Sequence, residues 1–518
     1  MDQDRFSHLF TSNTMLSPFE LESVRHEIEA RTTTIHQLEL QIGVLKAERE
    51  KYQTLLSPLR RNLLPPETLG EIFSFCIQYA ANSNSSCASQ LNTLCRVCRA
   101  WRAAALVKPA LWATVGWFCI DAPKKIDVGK VNAWLSRSGK VNKAIQIRGD
   151  HRAGDSPECP LSPPELGNLL TDGFSLDTLS LVCTHAECLV AIFSEMQDRS
   201  SKVQSVDSLH LGMEWASSVT FGKVCGILDW IPTVRTLSLA LPEFHDNFTF
   251  DSELPETLPF GNLSGLTLIC DWPLPLVLDI LRNCVNLETL TLDTEGCARK
   301  YDPSLPDDMP ILLLPRLRAL QLKGLDLSTR DTDILQYLRV PSLRTLDIIF
   351  YMINRDEPDD YNLPNLGSDI ASLVTGGPNR ATNLQHLRLK SLPITPQGLY
   401  VILSALPTLT HLTLEELESD SRLFRDAHTS STKLLPRLKT LKIHEASELF
   451  TFNDSDVYNF LRRRKEGLTE ESPDYLEEAE LTVRKERTYL WQDAFDRPYH
   501  YASEMAKNGI RLSIGAAV

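Results

Sequence analysis

The sequence predicts an α/β protein assembled in succession from a long N-terminal helix, a small helical module and a curved parallel sheet. Three observations carry that expectation. Apolar residues between positions 21 and 56 alternate at spacings of three and four. Two short amphipathic stripes follow, at Leu69–Phe73 and Leu94–Trp101. From position 176 onward a Leu-x-x-Leu-x-Leu template recurs ten times.

The first element is a helix over 17–57, after a tail at 1–16 expected to be disordered. Ser17-Pro18-Phe19-Glu20 has the capping-box pattern, with a hydroxyl cap, Pro in the first turn and Glu three residues on. The seam runs Leu21, Val24, Ile28, Ile35, Leu38, Ile42, Leu45, Tyr52 and Leu56, with Arg31 and Arg49 filling the two interrupted positions. Such spacing describes a coiled coil of about five heptads. A parallel homodimer is one reading. A single helix lying on its own downstream domains is the other, and the two arginines favour it. Ser57-Pro58 ends the helix, because the residue before Pro resists the helical region.

The second element spans 58–118. Pro65-Pro66-Glu67 suits a helix start, and Leu69, Ile72 and Phe73 then form one apolar stripe. Leu94, Val97, Cys98 and Trp101 make a second stripe, and Lys108-Pro109-Ala110-Leu111-Trp112 closes the segment. The order Leu-Pro-Pro-Glu-x-Leu-x-Glu-Ile-Phe, Leu-x-x-Val-Cys-Arg-x-Trp-Arg and Pro-x-Leu-Trp resembles the F-box proteins common in mushroom-forming fungi. That resemblance implies a helical module that binds a Skp-type adaptor and, through it, a cullin ubiquitin ligase. Carried over by position, Leu64, Pro65, Glu67, Leu69, Ile72 and Phe73 would form the first adaptor-facing segment. Leu94, Val97, Trp101 and Trp112 would support or extend it. The bland alternative is that Ile72, Phe73, Val97 and Trp101 pack the module's own helices. Two departures from the family stand out: Thr68 replaces an aliphatic residue, and Ala80–Gln90 is rich in Ser and Asn.

The third element, from about 119 to the C-terminus at 518, is leucine-driven. Leu supplies about 80 of 518 residues. Template copies begin at Leu176, Val206, Val234, Leu263, Leu287, Leu317, Leu343, Leu384, Leu409 and Leu438, with weaker ones at Asn142 and Leu476. Successive starts from 176 to 476 are 30, 28, 29, 24, 30, 26, 41, 25, 29 and 38 residues apart. Most of these fall in or near the range of leucine-rich repeats. The Asn that usually follows the strand is missing from most copies, so the repeats would be irregular ones of the longer kind. One strand-turn-helix unit cannot bury its apolar face alone, whereas stacked units share a core. Leu276–Leu281, Ile334–Leu338 and Gly398–Leu406 are expected as return segments, with insertions at Asp356–Gly377 and Glu445–Pro473. The last 40 residues are expected to cap the arc.

Between the leucines lie residues that alternation turns outward, onto a concave face. Early copies place small groups there, including Thr178, Ser180, Ser208, Thr236 and Thr289. Later copies place Lys323, His386, Arg388, Lys390, His411, Lys442 and His444, with Asp347 and Glu415 as exceptions. This stripe is the candidate surface for a protein substrate, expected to offer an acidic segment.

Composition narrows the remaining classes. Lys plus Arg number 53 and Asp plus Glu 67, a net −14, which argues against a nucleic-acid or anionic-membrane binder. No apolar run reaches about 18 residues, and the N-terminus does not read as a secretory signal. Twelve cysteines without a regular framework suit a reducing compartment, the cytoplasm or nucleus. Cys95-x-x-Cys98 and Cys183-Thr-His185-Ala-Glu-Cys188 are each incomplete as metal sites, and no catalytic motif appears. Arg462-Arg463-Arg464-Lys465 reads as a solvated helix end. No catalytic residue, metal or cofactor is therefore expected. The expected role is that of a substrate receptor in a Skp–cullin–F-box ubiquitin ligase. A repeat scaffold independent of the ligase is the alternative, kept open by Thr68 and the Ser-rich connection.

Overall fold

The computed structural model describes residues 15–56, 64–82, 87–119, 128–149, 170, 175–185, 188–190, 206–215, 228, 231, 233–242, 259–294, 309–325, 330–351, 366–375, 383–392, 394–416, 422–426, 434–446, 454–465, 476–483, 503, 506–507 and 511–516. They fall into two units, 1–85 with 89–111, and 86–88 with 112–518. No helix among the described residues is long and apolar enough to cross a membrane.

The first unit is helical. Helix α1 (Pro18–Leu56) runs 39 residues and buries none of its side chains. Its start is the capping box read from the sequence: the Ser17 amide donates to Glu20 Oε2 at 2.8 Å, and the Glu20 amide to Ser17 Oγ at 3.4 Å. Residues 1–14 of the expected tail, and Ser57-Pro58, lie outside the described residues. Helices α2 (Pro66–Asn82), α3 (Cys87–Val97) and α4 (Arg99–Val107) follow. Residues 83–86 of the Ser-rich connection also lie outside the described residues.

In the second unit, fourteen strands of the described residues form one parallel sheet in strict sequence order. They are β1 (Thr114–Cys119), β2 (Ala144–Gly149), β3 (Thr178–His185), β4 (Ser208–Trp215), β5 (Thr236–Ala240), β6 (Gly265–Ile269) and β7 (Thr289–Asp293). After the short β8 (Leu312–Leu313) come β9 (Ala319–Leu325), then β10 (Leu338–Arg339) and β11 (Thr345–Phe350). The series ends with β12 (His386–Lys390), β13 (His411–Glu415), β14 (Thr440–Ala446), β15 (Glu478–Val483) and β16 (Arg511–Ala516). Strands β8 and β10 pair separately. The long continuous stretch of this unit starts at Trp112, and Thr114–Cys119 is its first strand. Neither β1 nor β16 was anticipated.

Register explains the leucine template. Leu237 lies beside Leu266 and Leu239 beside Leu268, and the same matching carries on through Leu290–Leu320 and Leu389–Leu414. Each of these leucines is buried, and the residues between them face outward. At the strand starts the backbone repeats too. The Asp177 carbonyl accepts the amides of Asp207 at 3.2 Å and Ser208 at 2.8 Å. Asp207, Arg235, Ser264, Glu288, Arg318 and Arg344 each do the same for the next strand. One residue thus uses both acceptor sites of a single carbonyl to hold its neighbour.

A second repeated device precedes the strands. The amides of Leu317, Leu343, Leu409 and Leu438 donate to the carbonyls of Leu314, Val340, Leu406 and Leu435, three residues earlier. Each of these turns has Pro at its second position, where a fixed φ suits a β-turn: Pro315, Pro341, Pro407 and Pro436.

Return helices cover the apolar side: α6 (Leu274–Arg282) and α7 (Ile334–Tyr337), preceded by α5 (Val128–Leu135) near the start. Further along come α8 (Leu366–Thr375), α9 (Pro396–Ser404), α10 (Arg422–Asp426) and α11 (Asp454–Lys465). Helices α8 and α11 occupy parts of the two expected insertions. Residues 356–365, 376–377, 447–453 and 466–473 of those insertions lie outside the described residues. Helices α8 and α9 approach closely: a Cβ on Gly367 would sit 2.7 Å from the Gly398 carbonyl oxygen.

Packing and backbone clearance can be tested separately. Leu322→Ala, at a fully buried strand position, should cost about 2–5 kcal/mol. Gly367→Ala should cost about 1–3 kcal/mol through overpacking. Both should lower the urea midpoint, whereas Val285→Ala at an exposed site should move it by less than about 0.5 kcal/mol.

Candidate functional site

In the helical unit, the stripe on α2 divides its residues between interior and solvent. Leu69 and Phe73 are buried, Phe73 completely (0% exposed), with its ring centroid 5.0 Å from that of half-buried Trp101. Lys108 pairs with Glu71 at 2.7 Å across the start of α2. A Cβ on Gly70 would lie 2.9 Å from Lys108 Cδ, so a larger residue there would displace the lysine stem. Pro65, Glu67, Ile72 and Val97 (56% exposed) face solvent, while Leu64 and Leu94 are half-buried. Trp112 belongs to the second unit, buried against Trp134 at 4.6 Å with Arg137 over its ring. Leu69 and Phe73 therefore hold the helices together, and Trp112 packs the start of the sheet unit.

On the outward face of the sheet, the later strands bring their cations against carboxylates of neighbouring strands. Lys323 lies 3.7 Å from Asp293. Arg388 Nη2 and Nε donate to the two Glu415 oxygens at 2.7 and 3.1 Å, and its Nη1 reaches Asp347 at 3.3 Å. Lys390 lies 3.5 Å from Glu416, and Lys442 donates to Glu480 at 2.9 Å. The Glu415 hydrogen bond raises the Arg388 pKa, the Glu480 bond raises that of Lys442, and the Lys442 bond lowers that of Glu480. His386 and His411 stack at 4.2 Å, and His444 Nδ1 meets Thr482 Oγ1 at 3.1 Å. The seven expected side chains do line one face. Their charge is balanced there by Asp293, Asp347, Glu415, Glu416 and Glu480.

The chain's similarity to known proteins bears on the helical part. The F-box-like family model matches residues 62–116. These residues form an F-box-like domain. No curated protein matches the chain. One similar solved structure is the crystal structure of a Bacteroides fragilis protein, 12% identical, covering 47% of this chain and 66% of that one. Its TM-score of 0.23 is too low to support an argument about fold or function.

The F-box-like domain leaves more apolar surface in solvent than sequence reading assigned to it. Phe75 is 71% exposed, and Leu106 and Val107 at the end of α4 are also exposed. Helix α2 carries Phe75 in addition to the Leu69, Ile72 and Phe73 stripe, more apolar side chains than one buried face accommodates. Of the two partial metal patterns, Cys98 is exposed and caps α4 by accepting the Trp101 amide. Cys183 is buried in β3, and residues 186–187 lie outside the described residues.

His411 and His210 set a pH dependence. Burial, and secondarily His386, lowers the His411 pKa from its ordinary 6.5. Burial does the same to His210, whose ring nitrogen meets Ser238 Oγ at 2.9 Å. The folded chain thus resists protons that the unfolded chain accepts, so stability should fall as pH drops below about 6.5 and level off beneath the lowered folded values. His411→Gln should flatten part of this slope in urea midpoints measured from pH 7.5 to 5, leaving the part due to His210. An unchanged slope would remove His411 as its source.

Proposed function

We propose that this chain is the substrate-recognition subunit of a Skp–cullin–F-box ubiquitin ligase. The F-box-like domain binds a Skp-type adaptor, and through it the cullin. The parallel sheet is an irregular leucine-rich-repeat solenoid whose outward face holds a protein substrate. The observation that carries this reading is a family match coinciding with uncovered apolar side chains, Ile72, Phe75 and Val97, on the same small domain. A contiguous adaptor would remove them from water, at about 1.5–3 kcal/mol for each fully buried side chain.

The chain itself performs no chemistry in this scheme. It raises the effective concentration of a bound substrate near an active site that other subunits supply. Lys323, His386, Arg388, Lys390, His411, Lys442 and His444 belong to the substrate face. A partner's acidic groups there would exchange with the intrachain carboxylates that now satisfy those cations. The second reading, a binding scaffold independent of the ligase, rests on Thr68, which stands exposed on α2 in place of an aliphatic residue.

Capture by purified Skp-type adaptor separates the two. Wild-type chain should be retained, and Ile72→Ala/Val97→Ala should weaken capture by about 100-fold or more with its thermal midpoint unchanged. Leu69→Ala should instead lower the thermal midpoint, because that side chain is interior. Folded wild type that is not captured would select the scaffold reading.

A further inference from the structure

We propose that α1 forms a parallel, in-register, two-stranded coiled coil with a second copy of this chain. The proposal is independent of the adaptor reading. Helix α1 is 39 residues long with no buried side chain, and Ile28, Ile35, Leu38, Ile42 and Leu45 are all at least half exposed. A seam this long and regular has no cover within the described residues.

Side-chain identity selects the occupant. The spacing from Leu21 to Val24 to Ile28 defines position a at 21, 28, 35, 42, 49 and 56, and position d at 24, 31, 38, 45 and 52. Three successive central a positions are Ile, and the two central d positions that follow Arg31 are Leu38 and Leu45. β-branched residues at a with Leu at d favour two parallel strands.

Flanking charge favours the parallel orientation, against the seam arginines, which the antiparallel register would set beside Ile42 and Val24. In a parallel pair, position g of one helix faces position e of the next heptad on its partner. That sets Glu20 against Arg25 on each side and creates no like-charged pair at the other heptads. The full-length antiparallel register instead sets Glu27 against Glu48 and Arg25 against Lys46, each twice. Arg31 and Arg49 meet their own copies in the parallel register. Arg31 Nε already donates to Glu27 at 2.9 Å, so its charged head lies toward the flank while its stem follows the seam. Such polar seam positions cost stability and set register. Both F-box-like domains would then follow from the same end of the coil, giving a bivalent particle.

Sedimentation of the full chain at tens of micromolar tests the association. Wild type should run at twice its 58.3 kDa, and Ile35→Asp/Ile42→Asp at the monomer mass with its helical signal elsewhere retained. Arg31→Leu should tighten the dimer at least tenfold. For orientation, Leu21→Cys should give an oxidised product in which the peptide bearing position 21 is linked to itself, identified by mass spectrometry. In the antiparallel register those two positions would be roughly 46 Å apart. A monomeric wild type, a dimer that survives the double aspartate variant, or a dimer lacking the self-linked peptide would each overturn the proposal.

Discussion

Everything in the larger unit depends on one constraint: the apolar face of each strand can be buried only by the strands beside it and the return segments behind them. A five-residue strand such as Thr236–Ala240 exposes two leucines, Leu237 and Leu239, that no local fold could cover. Matching them to Leu209 and Leu211 on one side, and to Leu266 and Leu268 on the other, makes a continuous core row. A register slip of one residue would turn every leucine in that row toward solvent. The doubly accepting carbonyls at the strand starts pin the register from the backbone side, so side-chain burial and main-chain hydrogen bonding specify the same alignment.

That alignment also determines the electrostatics of the opposite face. Residues one copy apart become neighbours, so Arg388 meets Glu415 from the next strand and Asp347 from the one before. Half-exposed pairs of this kind contribute little stability individually. Their larger effect is on what the face presents: fixed, alternating charges rather than a positive stripe. An acidic partner would have to displace carboxylates already held at 2.7 and 2.9 Å at Arg388 and Lys442. Net charge alone therefore does not mark this face out for an acidic partner.

The leucine positions were legible because their burial repeats at a fixed local spacing, and the capping box at Ser17–Glu20 because it is complete within four residues. What stayed hidden was non-local or masked by weaker patterns. The Lys442–Glu480 pair joins residues 38 apart, in a copy whose template is degraded to Leu476-x-x-Ala479-x-Leu481. Strand β16 carries Leu512 and Ile514 without a leading leucine at the expected place, and β1 lies inside what reads as the helical module. The turn signature Leu-Pro-x-Leu at 314–317, 406–409 and 435–438 precedes the strands and overlaps the leucine template only at its last residue, which the strand pattern already claims. On α2 the sequence shows that Leu69, Ile72, Phe73 and Phe75 are apolar, but not which of them the domain keeps for itself.

That last division follows from size. A helical domain of some fifty residues has too little volume to enclose every apolar side chain its helices carry. Phe73 and Trp101 fill the interior, and Gly70 lets Lys108 close over the start of α2. Ile72 and Phe75 are left outside on the same helix. Apolar side chains kept in water are a standing liability for association. A cover that binds only the folded form would add its binding free energy to a marginal domain. Adjacent faces of one helix thus differ in environment: the face carrying Leu69 and Phe73 packs the domain, and the face carrying Ile72 and Phe75 stays in water, where a partner of the proposed kind would meet it.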